Sequence, residues 1–258
     1  MSLQTNLKGR LRNTSLPKSH GLMPVFEAVV NSIHSIEENG NSDDGKIVLC
    51  INRATQESLD LDVKVRPPII GFTITDNGCG FDETNFKSFE TLDSDHKIAK
   101  GCRGVGRLMW LKVFDLVEVE SHFVDADGQL RKRVFRFNDK LGVHSQNVQV
   151  PSEKQPGTQI KLLGFDESYR KQVPTKGLTV ANQLLEHVLW YFVRQSSAPK
   201  ILIRDAGEVF DLDDLLTEHM HASSFSETIT IGDFSFDLTH IKFRASVNKK
   251  HQLALCAA

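Results

Sequence analysis

The chain predicts an α/β fold, on three observations. Its 258 residues are 40% hydrophobic and 25% charged, an ordinary globular composition long enough for one large domain or a domain and part of another. Two stretches carry apolar residues at helical spacing: Leu22, Val25, Phe26, Val29, Ile33 and Ile36, and later Ala181, Leu184, Leu185, Val188 and Phe192. Around them lie short β-rich apolar runs bounded by glycine, proline and asparagine. The 31 basic and 33 acidic side chains nearly cancel, so no whole-chain basic field points to nucleic acid. No apolar run approaches the ~18 residues of a membrane span, and the polar, basic first residues lack the apolar core of a secretory signal. Cys50, Cys79, Cys102 and Cys256 stand far apart and read as reduced thiols of a cytoplasmic protein.

In order, residues 1–20 show no sustained periodicity and read as an arm. The helical pattern from Gly21 ends at Glu38, where Asn39, Gly40, Asn41 and Ser42 form a loop. Strands are expected at Ile47–Ile51, Val63–Val65 and Ile69–Thr75, the last running into Asp76-Asn77-Gly78-Cys79-Gly80. A polar region from Asp82 to Lys100 leads to a second glycine cluster, Gly101 to Gly106, and then to a helix over Leu108–Phe114. Three further strands, Leu116–Phe123, Arg133–Phe137 and Thr158–Leu163, follow, with Asp127-Gly128 as the hairpin signal between the first two. The second long helix and a strand at Lys200–Arg204 come next. Ile229, Ile231, Phe234, Phe236 and Leu238 then alternate around Gly232-Asp233 as a hairpin, and Leu253 to Ala258 read as a strand cut short, a piece of something longer.

Four segments carry chemistry. On the first helix, Glu27, Asn31, His34 and Glu38 cluster within about 60° of one another. Alone, such a stripe is the solvated face of a surface helix. Next, Ile69–Thr75 delivers Asp76 to a strand end, and Gly78 and Gly80 let the backbone turn and approach a neighbour closely. Third, Gly101-x-x-Gly104-x-Gly106 feeds a helix N-terminus, which presents unpaired N–H groups to an anion such as a polyphosphate. Lys97, Lys100, Arg103 and Arg107 surround it and suit phosphate charge; no Gly-Lys-Ser/Thr follows, so it is not a Walker A loop. Last, Gly157-Thr158 opens a strand.

In this order the set Glu27-x-x-x-Asn31, Asp76-x-Gly78-x-Gly80, Gly101-x-x-Gly104-x-Gly106 and Gly157-Thr158 resembles the GHKL ATPase superfamily of gyrase B, heat-shock chaperones, MutL, histidine kinases and MORC proteins. The resemblance spans about residues 20–210 and implies a two-layer Bergerat-type sandwich, a mixed sheet with helices 21–38 and 176–195 on one face. It implies an arm at 1–20, an ATP-binding domain at 21–212 and the start of a transducer-like α/β domain at 213–258. Glu27 would be the general base, and Asn31 a Mg²⁺ ligand completed by phosphate oxygens and waters. Asp76 would accept from the adenine amino group, with Gly78, Gly80, Phe81 and Thr158 around the base. Lys97, Lys100, Gly101, Arg103, Gly104, Val105 and Gly106 would form the phosphate lid. Glu27 argues against a histidine kinase and for slow ATP hydrolysis that drives conformational change and dimerisation in a longer protein. The alternative is a nucleotide-gated binding module or clamp component that does not hydrolyse. Contact with nucleic acid is compatible with either, but net charge gives it no support, and the local basic run Arg131-Lys132-Arg133 reads as a solvated strand edge. One departure stands out: family members often carry Asp three residues after the Asn, and here that position is His34.

Overall fold

The computed structural model describes residues 7–40, 43–55, 66–91, 106–149, 154–194 and 198–243, apart from the side chains of 219–225 and 241–243. Among them are helices α1 (Leu7–Asn13), α2 (Met23–Glu38), α3 (Glu83–Glu90), α4 (Gly106–Val113), α5 (Glu167–Arg170), α6 (Gly177–Val193) and α7 (Leu212–His219). The strands are β1 (Lys46–Arg53), β2 (Ile69–Asp76), β3 (Phe114–Val124), β4 (Leu130–Asn138), β5 (Gly142–Gln149), β6 (Gly157–Phe165), β7 (Lys200–Asp205), β8 (Glu208–Asp211), β9 (Met220–Ile231) and β10 (Phe234–Phe243). Eight of them make one mixed sheet in the order β5-β4-β3-β6-β2-β1-β7-β8, while β9 and β10 form a separate hairpin. Every neighbouring pair in the large sheet is antiparallel except β1–β7. The protein is therefore α/β, with a mixed sheet and helices packed on it.

Side chains alternate along a strand, so each strand offers one residue in two to a given face. Ile47 and Leu49 of β1, Phe72 and Ile74 of β2, Val117 and Val119 of β3, and Phe135 and Phe137 of β4 are buried. So are Ile160 and Leu162 of β6 and Ile201 and Ile203 of β7. They share one core with Val25, Val29, Ile33 and Ile36 of α2 and Val180, Leu184 and Val188 of α6. The intervening positions, Cys50, Thr73, Thr75, Glu118, Glu120, Lys132 and Arg136, stay partly or fully exposed. There the charges meet across strands, Glu120 with Lys132 at 2.9 Å and Glu118 with Arg136 at 2.8 Å.

Several elements differ from expectation. The stretch read as an arm is helical over α1, with Leu11 buried, and the Leu16 carbonyl accepts from the Tyr169 hydroxyl at 3.2 Å. One apolar side chain per turn was too thin a stripe to read. The polar region contains α3, capped by Asp82, whose carboxylate accepts from the Asn85 N–H at 2.7 Å, and anchored by buried Phe86 and Phe89. β5, β8 and α7 were not anticipated. Residues 63–65 and 253–258 lie outside the described residues.

At the β7 end, Asp205 is buried and accepts from Arg53 Nε at 2.6 Å, Arg53 Nη2 at 2.8 Å and Arg66 Nη1 at 3.0 Å. The Gly177 N–H at the start of α6 adds a fourth donor, and a Cβ there would come within 2.6 Å of Oδ2. Burial alone would push this carboxyl up, but the two arginines and the amide outweigh it and hold it below its ordinary value. Asp205→Ala should cost about 3–5 kcal/mol in urea unfolding, because it leaves the Arg53 charge buried without its partner. A depressed folded-state pKa contributes fully above the unfolded value, near 3.9, and is lost as pH falls through the folded value. The stability gap between wild type and Asp205→Asn should accordingly narrow below about pH 4.

Candidate functional site

Strand β2 ends at Asp76 on the helix-facing side of the sheet, in register with Thr158 of β6. Its carboxylate is buried and accepts from three elements: Ser32 Oγ of α2 to Oδ2 at 2.7 Å, the Gly78 N–H to Oδ1 at 3.0 Å, and the Thr158 N–H. Burial raises its pKa from 3.8 to about 6, and the three donors only partly offset that. Asp76 therefore holds α2, the following turn and β6 together while titrating close to neutrality.

The glycines that follow are required by the protein's own packing. A Cβ on Gly78 would lie 2.3 Å from Ser35 Oγ and 2.7 Å from Ser35 Cβ, so only glycine lets the turn close against α2. Gly80 has φ +79°, and a Cβ there would meet the His122 carbonyl oxygen at 2.3 Å. Beyond it, the Phe81 N–H donates to Ser121 Oγ at 2.7 Å, and Ser121 Oγ lies 3.2 Å from Thr158 Oγ1. The Phe81 ring turns into an aromatic cluster with Phe89 and Phe135. Sequence reading missed the two residues that hold this segment. Ser121 is one. Arg133 is the other: it is fully buried between the Phe86 and Phe123 rings and donates to the Phe81 and Asp82 carbonyls at 2.8 Å each and to Glu83. Asp76, Thr158, Ser121 and Arg133 are register partners on successive strands, a polar row across β2, β6, β3 and β4. Strand pairing alone carries that row, and a single sequence does not display pairing.

On α2, the five steps from Glu27 to Ser32 place about 7.5 Å of helix between the Glu27 end and the Asp76 end. Exposed Asn31 stands beside Ser32. Glu27 is half-buried, which raises its carboxyl pKa. Its Oε2 faces the start of α4, 3.5 Å from where a Gly106 Cβ would be. Its Oε1 lies 4.0 Å from His187 Nε2 of α6, a histidine the sequence did not single out. His34 departs from the solvated stripe: it is buried, and its Nε2 bonds the Tyr191 hydroxyl of α6 at 2.8 Å.

Two charge expectations need correction. Arg107 is buried and donates to the carbonyls of Ser88, Phe89 and Thr91, satisfying the C-terminal end of α3, so it is committed there and not to a phosphate. The Arg131-Lys132-Arg133 run is no solvated strand edge, because β4 lies between β5 and β3 and strand alternation splits the run. Arg131 pairs with Asp125, Lys132 with Glu120, and Arg133 is interior. Lys97, Lys100, Gly101, Arg103, Gly104 and Val105 lie outside the described residues.

No protein-family model and no curated protein matches the chain. The site stands on its own geometry. A folded-state pKa raised above the unfolded one gives stability that is full below the unfolded value and lost as pH rises through the folded value. Relative to Asp76→Asn, the wild type should therefore lose on the order of 3 kcal/mol between pH 4 and pH 7 in urea unfolding. Gly80→Ala should unfold more easily by at least ~1–3 kcal/mol from backbone conformation alone.

Proposed function

We propose that the chain is a Bergerat-type module that binds ATP with Mg²⁺ and hydrolyses it slowly, coupling closure and dimerisation to nucleotide. One observation carries the reading: a buried, multiply bonded carboxylate, Asp76, is tied through Ser32 to the helix that also presents Glu27 and Asn31. With three donors already aimed at it, an ionised Asp76 has acceptor capacity left for one more N–H, such as an adenine amino group. GTP would turn a carbonyl toward the same carboxylate and should bind roughly ten- to a hundred-fold more weakly.

The phosphates would then run along α2 toward Glu27 and the N-terminus of α4. Among the described residues no three His, Cys, Asp or Glu side chains gather as a metal cage. A lone amide such as Asn31 suits Mg²⁺, which commonly keeps waters and substrate phosphate oxygens as its other ligands. When bound, the ion would neutralise charge on the phosphates. Glu27, with its pKa raised by burial, is a better proton acceptor than an exposed glutamate and would take the proton of the attacking water.

Two variants separate these roles. Glu27→Ala should retain Mg·ATP binding in calorimetry while turnover falls by ~10²–10⁴-fold. Asn31→Ala should weaken Mg²⁺-dependent binding and turnover together. Wild-type turnover in Glu27→Ala would remove the base assignment, whereas a wild type that binds Mg·ATP without turnover would leave a gated binder.

A further inference from the structure

The two oxygens of Glu27 face different elements, Oε2 toward Gly106 of α4 and Oε1 toward His187 of α6 at 4.0 Å. That distance is within ion-pair range yet longer than a direct hydrogen bond. His187 is itself held: its ring packs on Phe26 of α2, centroids 5.5 Å apart. Further along α6, Tyr191 bonds His34, and Arg194 just past the helix's C-terminal end pairs with Glu37, so residues 187, 191 and 194 line up against 27, 34 and 37 of α2. Such a seam leaves α6 little freedom to slide along α2. At the other side, Trp110 Nε1 of α4 donates to the Pro24 carbonyl at 2.9 Å and fixes the start of α2. The Glu27 carboxylate thus sits in a notch whose walls are both fixed to its own helix.

We infer that His187 is a positioning residue for Glu27, holding Oε1 on the α6 side so that Oε2 points at the N-terminus of α4. A neutral imidazole suffices in the tautomer with its proton on Nε2, whose N–H dipole then faces Oε1 across 4.0 Å. Burial lowers the pKa of His187 and so favours that neutral form. The inference rests on the proposed role of Glu27 as base, and it assigns a function to a residue that no motif marked.

The test is ATP hydrolysis and ATP affinity of the full chain, with thermal unfolding measured beside them. His187→Ala should lower kcat tenfold or more, toward the ~10²-fold that an ångström of misplacement costs, with Kd unchanged and Tm lowered only by the lost contact with the Phe26 ring. His187→Gln, which restores an N–H donor near the Nε2 position, should recover most of the rate. In the Glu27→Ala background, removing His187 should bring no further loss. Wild-type turnover in His187→Ala, or a loss that persists without Glu27 or follows Tm, would overturn the inference while leaving the ATPase reading intact. A wild-type chain that binds ATP and never hydrolyses it would overturn both.

Discussion

A carboxylate removed from water has to find donors, and at Asp76 those donors come from a helix, a turn and a neighbouring strand at once. That requirement fixes how α2 lies on the sheet. Ser32 must face β2, which turns Val29, Ile33 and Ile36 into the core and leaves Glu27 and Asn31 at its margin. The turn after β2 must bring the Gly78 N–H back to the carboxylate, which presses it so closely on Ser35 that only glycine fits. Gly80 then has to pass the β3 backbone, and Ser121 and Arg133 take up the amide and carbonyls left by the change of direction. Three donors do not fully offset the burial of Asp76, which keeps its pKa raised to about 6. That cost is the ground on which Asp76 is proposed as a binding carboxylate.

Around that constraint the helices form a frame for Glu27. α4 reaches α2 through the Trp110–Pro24 bond, and α6 reaches it through the contacts at His34 and Glu37. The aromatic cluster of Phe81, Phe86, Phe89 and Phe135 keeps α3 and the segment after Gly80 in place beneath Arg133. Rigid elements thus surround both ends of the proposed nucleotide path. The Arg53–Asp205 network does the equivalent for the start of α6, where Gly177 meets the carboxylate.

The parts of the fold that were readable in the sequence are those with strong local period. α2, α4, α6 and strands β1, β2, β3, β4, β6 and β7 announced themselves by apolar spacing, and Gly232-Asp233 announced the last hairpin. α3 escaped because only Phe86 and Phe89 interrupt a polar stretch, and β5 because Gly142–Gln149 is an edge strand with little to bury. At the site, Glu27, Asn31, Asp76, Gly78, Gly80 and Thr158 were singled out by ordered motifs, whereas Ser32, Ser121, Arg133 and His187 were not. Those four act through pairing and packing between distant segments. The surroundings of Arg107 and Arg133 were not legible for the same reason: a basic letter does not say whether its partner is solvent, a phosphate or a backbone carbonyl.

The central claim is that Asp76 is a recognition carboxylate held ready for an N–H donor. Carbon-13 NMR of its side-chain carboxyl, titrated with and without Mg·ATP, tests it most directly. Without nucleotide the carboxyl should titrate at about 6, and with ATP its pKa should fall well below that, because a bound amino group stabilises the charged form. GTP should leave the titration nearly unmoved. An Asp76 carboxyl that titrates identically with and without saturating ATP would contradict the account.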